Sequence, residues 1–245
     1  MEAADYLDAI ARESAALAAA AARARLDAAV PTCPEWTVAD LVAHVGNVQQ
    51  WARLTVETRA TERISWRTLP PVPVADELLD WFREQGRALV AVLGATDPDA
   101  PAWSWTDDHR ARFWYRRQAH EVAVHRVDAE AAAGEVAPID AALAVDGVDE
   151  WLWMVPFRPA GEIGGAGETV HLHCTDTALA VAGEWLVTLD GGEMRVERLH
   201  AKGDVAGRGT ASDLDLYLWG RVPVSTLEVF GDPALLDRLR GLMAP

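Results

Sequence analysis

Apolar residues recur every three to four positions through the first half of this chain and every second position in parts of the second half. In the first thirty residues Tyr6, Ile10, Leu17 and Leu26 stand among alanines, which predicts a first helix. The segment VPTCPEW ends it, because Pro31 and Pro34 cannot continue a helix. Thr37, three residues ahead of Asp40, then has the form of a capping box, so a second helix is expected from Val38, with Leu41, Val45, Val48 and Ala52 as its apolar stripe. The proline-rich WRTLPPVPVAD leads to a third helix from about Val74 to Leu93, patterned by Leu78, Trp81, Phe82, Gln85, Leu89 and Val92. After GATDPDAPAWSW a fourth helix is expected from Arg112 to about Ala133, closed by Gly134.

Four helices with one apolar face each close into a bundle. Beyond Pro138 the texture changes. DAALAVDGVDEWLWMVPF reads as one more helix, whereas ETVHLHCTDT, EWLVTLDGGEMRVERLH and TLEVFG alternate with period two around an Asp-Gly turn, as antiparallel strands do. SDLDLYLWGR and DPALLDRLRGLM are helical, with Ser212 and Asp232 as expected caps. The fold class is therefore α+β in two domains. A four-helix bundle is expected over residues 1–135, and a smaller α+β domain with a mainly antiparallel sheet over 136–245.

Composition narrows the function. Thirty-eight acidic residues against 22 basic ones give a formal charge of −16, which repels nucleic acid and anionic lipid, so neither is an expected partner. The N-terminal thirty residues are interrupted by charge too often for a signal peptide or membrane span, which points to the cytoplasm. Two cysteines, Cys33 and Cys174, make no disulfide framework and fall in different domains; both read as structural.

The chemistry concentrates in RRQAHEVAVHRVDAE, residues 116–130. Glu121 and His125 lie four apart and share one helix face, which Trp114, Gln118 and Asp128 extend. Such a pair on an acidic helix is also the pattern of a solvated face. His44, on the second helix, borders the apolar stripe of Leu41, Val48 and Trp51 and so points inward. An inward histidine joined by Glu121 and His125 from an antiparallel helix supplies three nitrogen and oxygen ligands, the number a catalytic zinc site uses with one position left open. Spacing alone leaves both readings standing. His120 is the rival ligand, but an adjacent residue points about 100° away around a helix, which favours Glu121. Asp128 is placed to accept the ring N–H of His125 or to pair with an arginine.

VPTCPEWTVADLVAHVGNVQQW, followed by HEVAVHRVDAE and SDLDLYLWGR, resembles the mycothiol-dependent maleylpyruvate isomerase family of actinobacteria, along nearly the whole chain. The resemblance implies a DinB-like N-terminal bundle, a small C-terminal domain, and a divalent metal, zinc first, held by His44, Glu121 and His125. Iron, nickel and manganese also suit such a ligand set. It further implies mycothiol, or a similar low-molecular-weight thiol, as cosubstrate adding to a small electrophile. An isomerase would let the adduct rotate and expel the thiolate as the trans alkene; an S-transferase would release it. A carboxylated substrate calls for arginine, and Arg221, in the LWGR that resembles the family's C-terminal segment, is the candidate catalytic residue. Asn47, Trp51 and Trp114 are the candidate cofactor-binding residues, the two indoles walling the metal cleft. His171 and His173 alternate on one strand face without a third ligand in sequence reach and read as structural. The alternative to an enzyme is a non-catalytic metal- or small-molecule-binding protein of the same fold.

Overall fold

The computed structural model describes residues 1–157, 163–177, 179 and 183–243. The chain forms two compact units, Met1–Ala137 and Pro138–Pro245.

The first unit is built on four helices: α1 (Ala3–Ala24), α2 (Val38–Glu57), α3 (Ala75–Gly94) and α4 (Ala111–Ala133). Each of α1 and α2 packs on both α3 and α4, which closes the ring around Leu17, Leu41, Val45, Phe82 and Val122. The start of α2 is set by its capping box. The Thr37 hydroxyl accepts from the Asp40 backbone N–H, and the Asp40 carboxylate accepts from the Thr37 N–H at 2.9 Å. The end of α4 is set by Gly134, whose φ of 82° lies in the left-handed region that glycine enters without steric cost.

One element departs from the sequence reading. VPTCPEW does more than break a helix: Ala29–Val30 (β1) and Cys33–Thr37 (β2) pair antiparallel as a small hairpin, so the bundle unit is not purely helical. Pro31 and Thr32 turn the chain between the two strands, and a pairing this short has no period for a pattern to reveal.

The polar face of α4 is turned inward. Trp114, Gln118, His125 and Asp128 are all buried, which overturns the solvated-face alternative. A helix this polar can be buried because its charges are paired. The Arg126 guanidinium, with its side chain 4% exposed, donates to Glu13 of α1 at 2.9 Å, to Glu130 at 2.6 Å and to the carbonyl of Ala137.

In the second unit a helix, α5 (Ala141–Met154), precedes five strands, β3 (Ala166–Cys174), β4 (Glu184–Asp190), β5 (Glu193–Glu197), β6 (Val205–Gly209) and β7 (Glu228–Phe230). Helix α6 (Ala211–Leu218) follows β6, and α7 (Pro233–Gly241) follows β7. The sheet order is β5-β4-β3-β6-β7, antiparallel except for the β3/β6 pair. Gly191 and Gly192, both at positive φ, form the two-residue turn between β4 and β5 that such a hairpin favours. Val170, Leu172, Trp185, Val187 and Val205 alternate to one face and are buried with Trp151, Leu214 and Tyr217 of the helices. Strand β6 was not anticipated, because VAGRG has two glycines and no apolar alternation. The cap of α6 is Thr210 rather than Ser212; the Ser212 hydroxyl instead accepts from the backbone N–H of Ile139.

Removing Arg126 leaves the buried Glu130 without its cation and Glu13 with only the half-exposed Arg12, 3.0 Å away. Breaking a buried pair from one side costs roughly 3–5 kcal/mol. Arg126→Ala should therefore lower the free energy of unfolding, read by denaturant titration, by that order, and a loss under about 1 kcal/mol would show that the network is energetically idle.

Candidate metal centre

His44 on α2 faces Glu121 and His125 on α4. The Nε2 atoms of His44 and His125 lie 3.3 and 3.4 Å from the same carboxylate oxygen, Glu121 Oε1. Their ring centroids are 5.1 Å apart at 74°, and the donor atoms of all three residues lie within 4.8 Å of one another. Helix periodicity places Glu121 and His125 side by side, and the antiparallel course of α2 against α4 brings His44 to them.

The surrounding groups fix these side chains. Asp128, one turn beyond His125, accepts the ring Nδ1–H at 2.7 Å, which turns the lone pair of a neutral imidazole to Nε2, on the side of Glu121. Asp128 is held in turn by the hairpin: the Thr32 hydroxyl donates to it at 2.6 Å, and the Cys33 thiol lies 3.9 Å away. Arg117 binds the other oxygen of Glu121 at 3.1 Å and leaves Oε1 to the histidines. Burial opposes the charge on Glu121, yet hydrogen bonds from His125 and His44 and the Arg117 guanidinium hold its carboxyl well below the usual range. Burial also opposes protonation of His125, but Asp128 and Glu121 outweigh it and push the imidazole up to about 9.

The ring beside the histidines is Trp36 of the hairpin, 4.8 Å from His44 and 6.2 Å from His125, nearly parallel to the latter. Sequence reasoning missed it. The indoles expected to wall the cleft, Trp51 and Trp114, contact each other two helical turns away, within a cluster that includes Trp66, Trp103 and Trp105. Their indole N–H groups donate to Ile64 O and Trp103 O, so any ligand contact they make is through ring carbon. Asn47 and Gln118 fall at the level between the histidines and these tryptophans. Asn47 Oδ1 and both amide atoms of the buried Gln118 have no hydrogen-bond partner among the described residues, a state that buried polar groups rarely keep unless a further partner binds. His120 turns to another face of α4, where it meets the ring of Tyr6 on α1. Arg221 belongs to the second unit, just past the end of α6, and donates from Nη1 to the carbonyl of Trp219 at 2.7 Å.

The arrangement defines a class: a helical bundle with a two-histidine, one-carboxylate cluster, followed by a small α+β unit. Residues 7–130 match the family described as mycothiol maleylpyruvate isomerase N-terminal domain, and residues 142–238 match that family's C-terminal domain. The chain belongs to the mycothiol maleylpyruvate isomerase family. Among solved structures it is similar to the crystal structure of a mycothiol-dependent maleylpyruvate isomerase, with a TM-score of 0.62 and 15% identity over 94% of this chain and 93% of that one. A histidine-to-alanine mutant of that enzyme matches with a TM-score of 0.61 at the same identity and coverage. At this identity the likeness concerns the fold. No curated protein matches the chain. No helix among the described residues is long and apolar enough to cross a membrane.

The donor set fits a divalent metal of the zinc class, since both imidazole Nε2 atoms and one carboxylate oxygen converge. In the metal-free protein His125 carries a proton below about pH 9, and a cation must displace it. Apparent metal affinity should therefore climb about tenfold per pH unit from pH 7 and flatten near pH 9, with calorimetry registering one proton released from this group. Affinity independent of pH over that range would show that no proton is displaced from His125 on binding. Asp128→Asn should weaken the metal by about 10–100-fold, as loss of a ligand's orienting partner does.

Proposed function

We propose that this protein is a metal-dependent enzyme, zinc first, that activates a low-molecular-weight thiol of the mycothiol class for addition to a small electrophile. The observation that carries this reading is the convergence of His44 and His125 Nε2 on Glu121 Oε1. Among the described residues this group comprises three ligands, which is the count of a catalytic rather than a closed structural site. A divalent ion held there supplies a Lewis acid that lowers the pKa of a bound thiol.

The rest is the work of the chain. Arg117 and the two histidines keep Glu121 ionised, so its Oε1 is an acceptor at neutral pH. Asp128 accepts from His125 Nδ1, so the imidazole presents Nε2 once a cation displaces the proton there, and Trp36 covers one side of the histidine pair with an apolar ring. The unpartnered Asn47 Oδ1 and Gln118 amide offer hydrogen bonds to a polar thiol cosubstrate. Arg221 is proposed to pair with a carboxylate of the substrate or cosubstrate.

Family membership makes a maleylpyruvate-like cis-enoic acid the first substrate to assay, with isomerisation and stable thiol adduct as the two products to distinguish. In an isomerase the C–S bond forms as the alkene π bond opens, rotation follows about the resulting single bond, and expulsion of the thiolate restores the alkene as trans. The metal-loaded protein should turn over this acid only with mycothiol present. His44→Ala should abolish both metal retention and thiol binding. Arg221→Ala should lower kcat/KM by about tenfold to a hundredfold with metal content intact, since a hydrogen bond to a charged group is worth roughly 1.5–3 kcal/mol. Metal and thiol binding without turnover of any electrophile would instead make the protein a binder of the same fold. A protein that binds neither metal nor thiol would sink the proposal.

A further inference from the structure

The H-x-H of β3 acquires partners that its sequence neighbourhood does not contain. His171 and His173 project from the sheet face opposite Val170 and Leu172, as the two-residue period requires. Glu184, on β4, sits directly across the ladder from His173 on that same face. His200, from the loop between β5 and β6, reaches over to join them. Glu184 is the hub: its Oε2 lies 2.6 Å from His171 Nε2, and its Oε1 lies 2.7 Å from His173 Nδ1 and 3.1 Å from His200 Nδ1. The three rings stand 5.2 to 5.9 Å apart, each pair at 70° or more.

We propose that this face of the C-terminal sheet is a second metal site, taking a zinc-class divalent cation on His171, His173, Glu184 and His200. One donor atom from each of the four lies within 4.8 Å of the others. Tetrahedral ligands at about 2.0–2.2 Å from zinc stand roughly 3.3–3.6 Å apart. The cluster therefore needs only side-chain adjustment to close on an ion. Three imidazoles and one carboxylate, with no thiolate, suit zinc, nickel or copper better than magnesium or calcium. Access is open, because His171 and His200 line a depression of about 450 Å³ and the His200 side chain is 74% exposed. Four protein ligands fill a tetrahedral shell, so this ion would be structural or stored rather than catalytic. Its effect would be to fasten the β5–β6 loop, through His200, to β3 and β4.

The test is a zinc titration of the full chain, stripped of metal, against a chromophoric competing chelator. Wild type should take two equivalents, and His173→Gln with His200→Gln one. Both positions are at least partly exposed, and glutamine can still donate a hydrogen bond to Glu184, so loss of the second equivalent with an unchanged circular dichroism spectrum reports ligation rather than folding. In His44→Ala, one equivalent should persist and, with cobalt in place of zinc, give the visible absorption of a tetrahedral ion. Two equivalents retained in the glutamine variant would overturn the proposal. So would a single wild-type equivalent that disappears in His44→Ala. A single equivalent that survives His44→Ala and disappears in the glutamine variant would support this site and count against the one in the bundle.

Discussion

A carboxylate taken fully out of water must be met by donors on every side, and the bundle unit is organised around one such group. Asp128 has no exposed surface. It binds the far nitrogen of His125, and Thr32 and Cys33 of the hairpin approach its two oxygens. One charge thereby orients the His125 ring, anchors the β1–β2 turn to α4, and positions the strand that carries Trp36 over the histidines. The hairpin is small, yet it supplies both the aromatic cover and the hydroxyl that holds Asp128.

The same economy runs along the rest of α4. A helix with this many charged and amide side chains belongs on a surface unless each finds a partner, and most do: Arg126 with Glu13 and Glu130, Arg117 with Glu121, His125 with Asp128. Two of the exceptions stand at neighbouring levels of α2 and α4. Gln118 and Asn47 lie near the histidine cluster and carry buried amide atoms with no partner among the described residues, a state that buried polar groups rarely keep.

Five of the seven histidines fall in two clusters, one in each unit, and each cluster is arranged around a glutamate. Their chemistry differs by one ligand. Three donors on two helices leave an ion a free position, which activation of a thiol requires. Four donors on a sheet and its loop leave none. Glu121 and His125 stand one turn apart on α4, whereas the sheet cluster depends on a loop residue, His200, whose place follows from the tertiary fold alone.

What the sequence determined was whatever rests on local periodicity and capping chemistry. The four bundle helices, the Thr37–Asp40 box, the Gly134 stop and the shared face of Glu121 and His125 all follow from relations within a few residues. The family resemblance reached as far, since its motifs are local strings. Tertiary structure alone decided what depends on segments distant along the chain. It turned the polar face of α4 inward, because α1 and α2 close over it, and it set Trp36 rather than Trp51 or Trp114 beside the histidines, because a hairpin with no periodic signal carries that ring. It paired the glycine-rich β6 with β3, which no alternation announced. It also brought Glu184 and His200 to His171 and His173, because strand register and loop course, not spacing, decide which residues meet across a sheet.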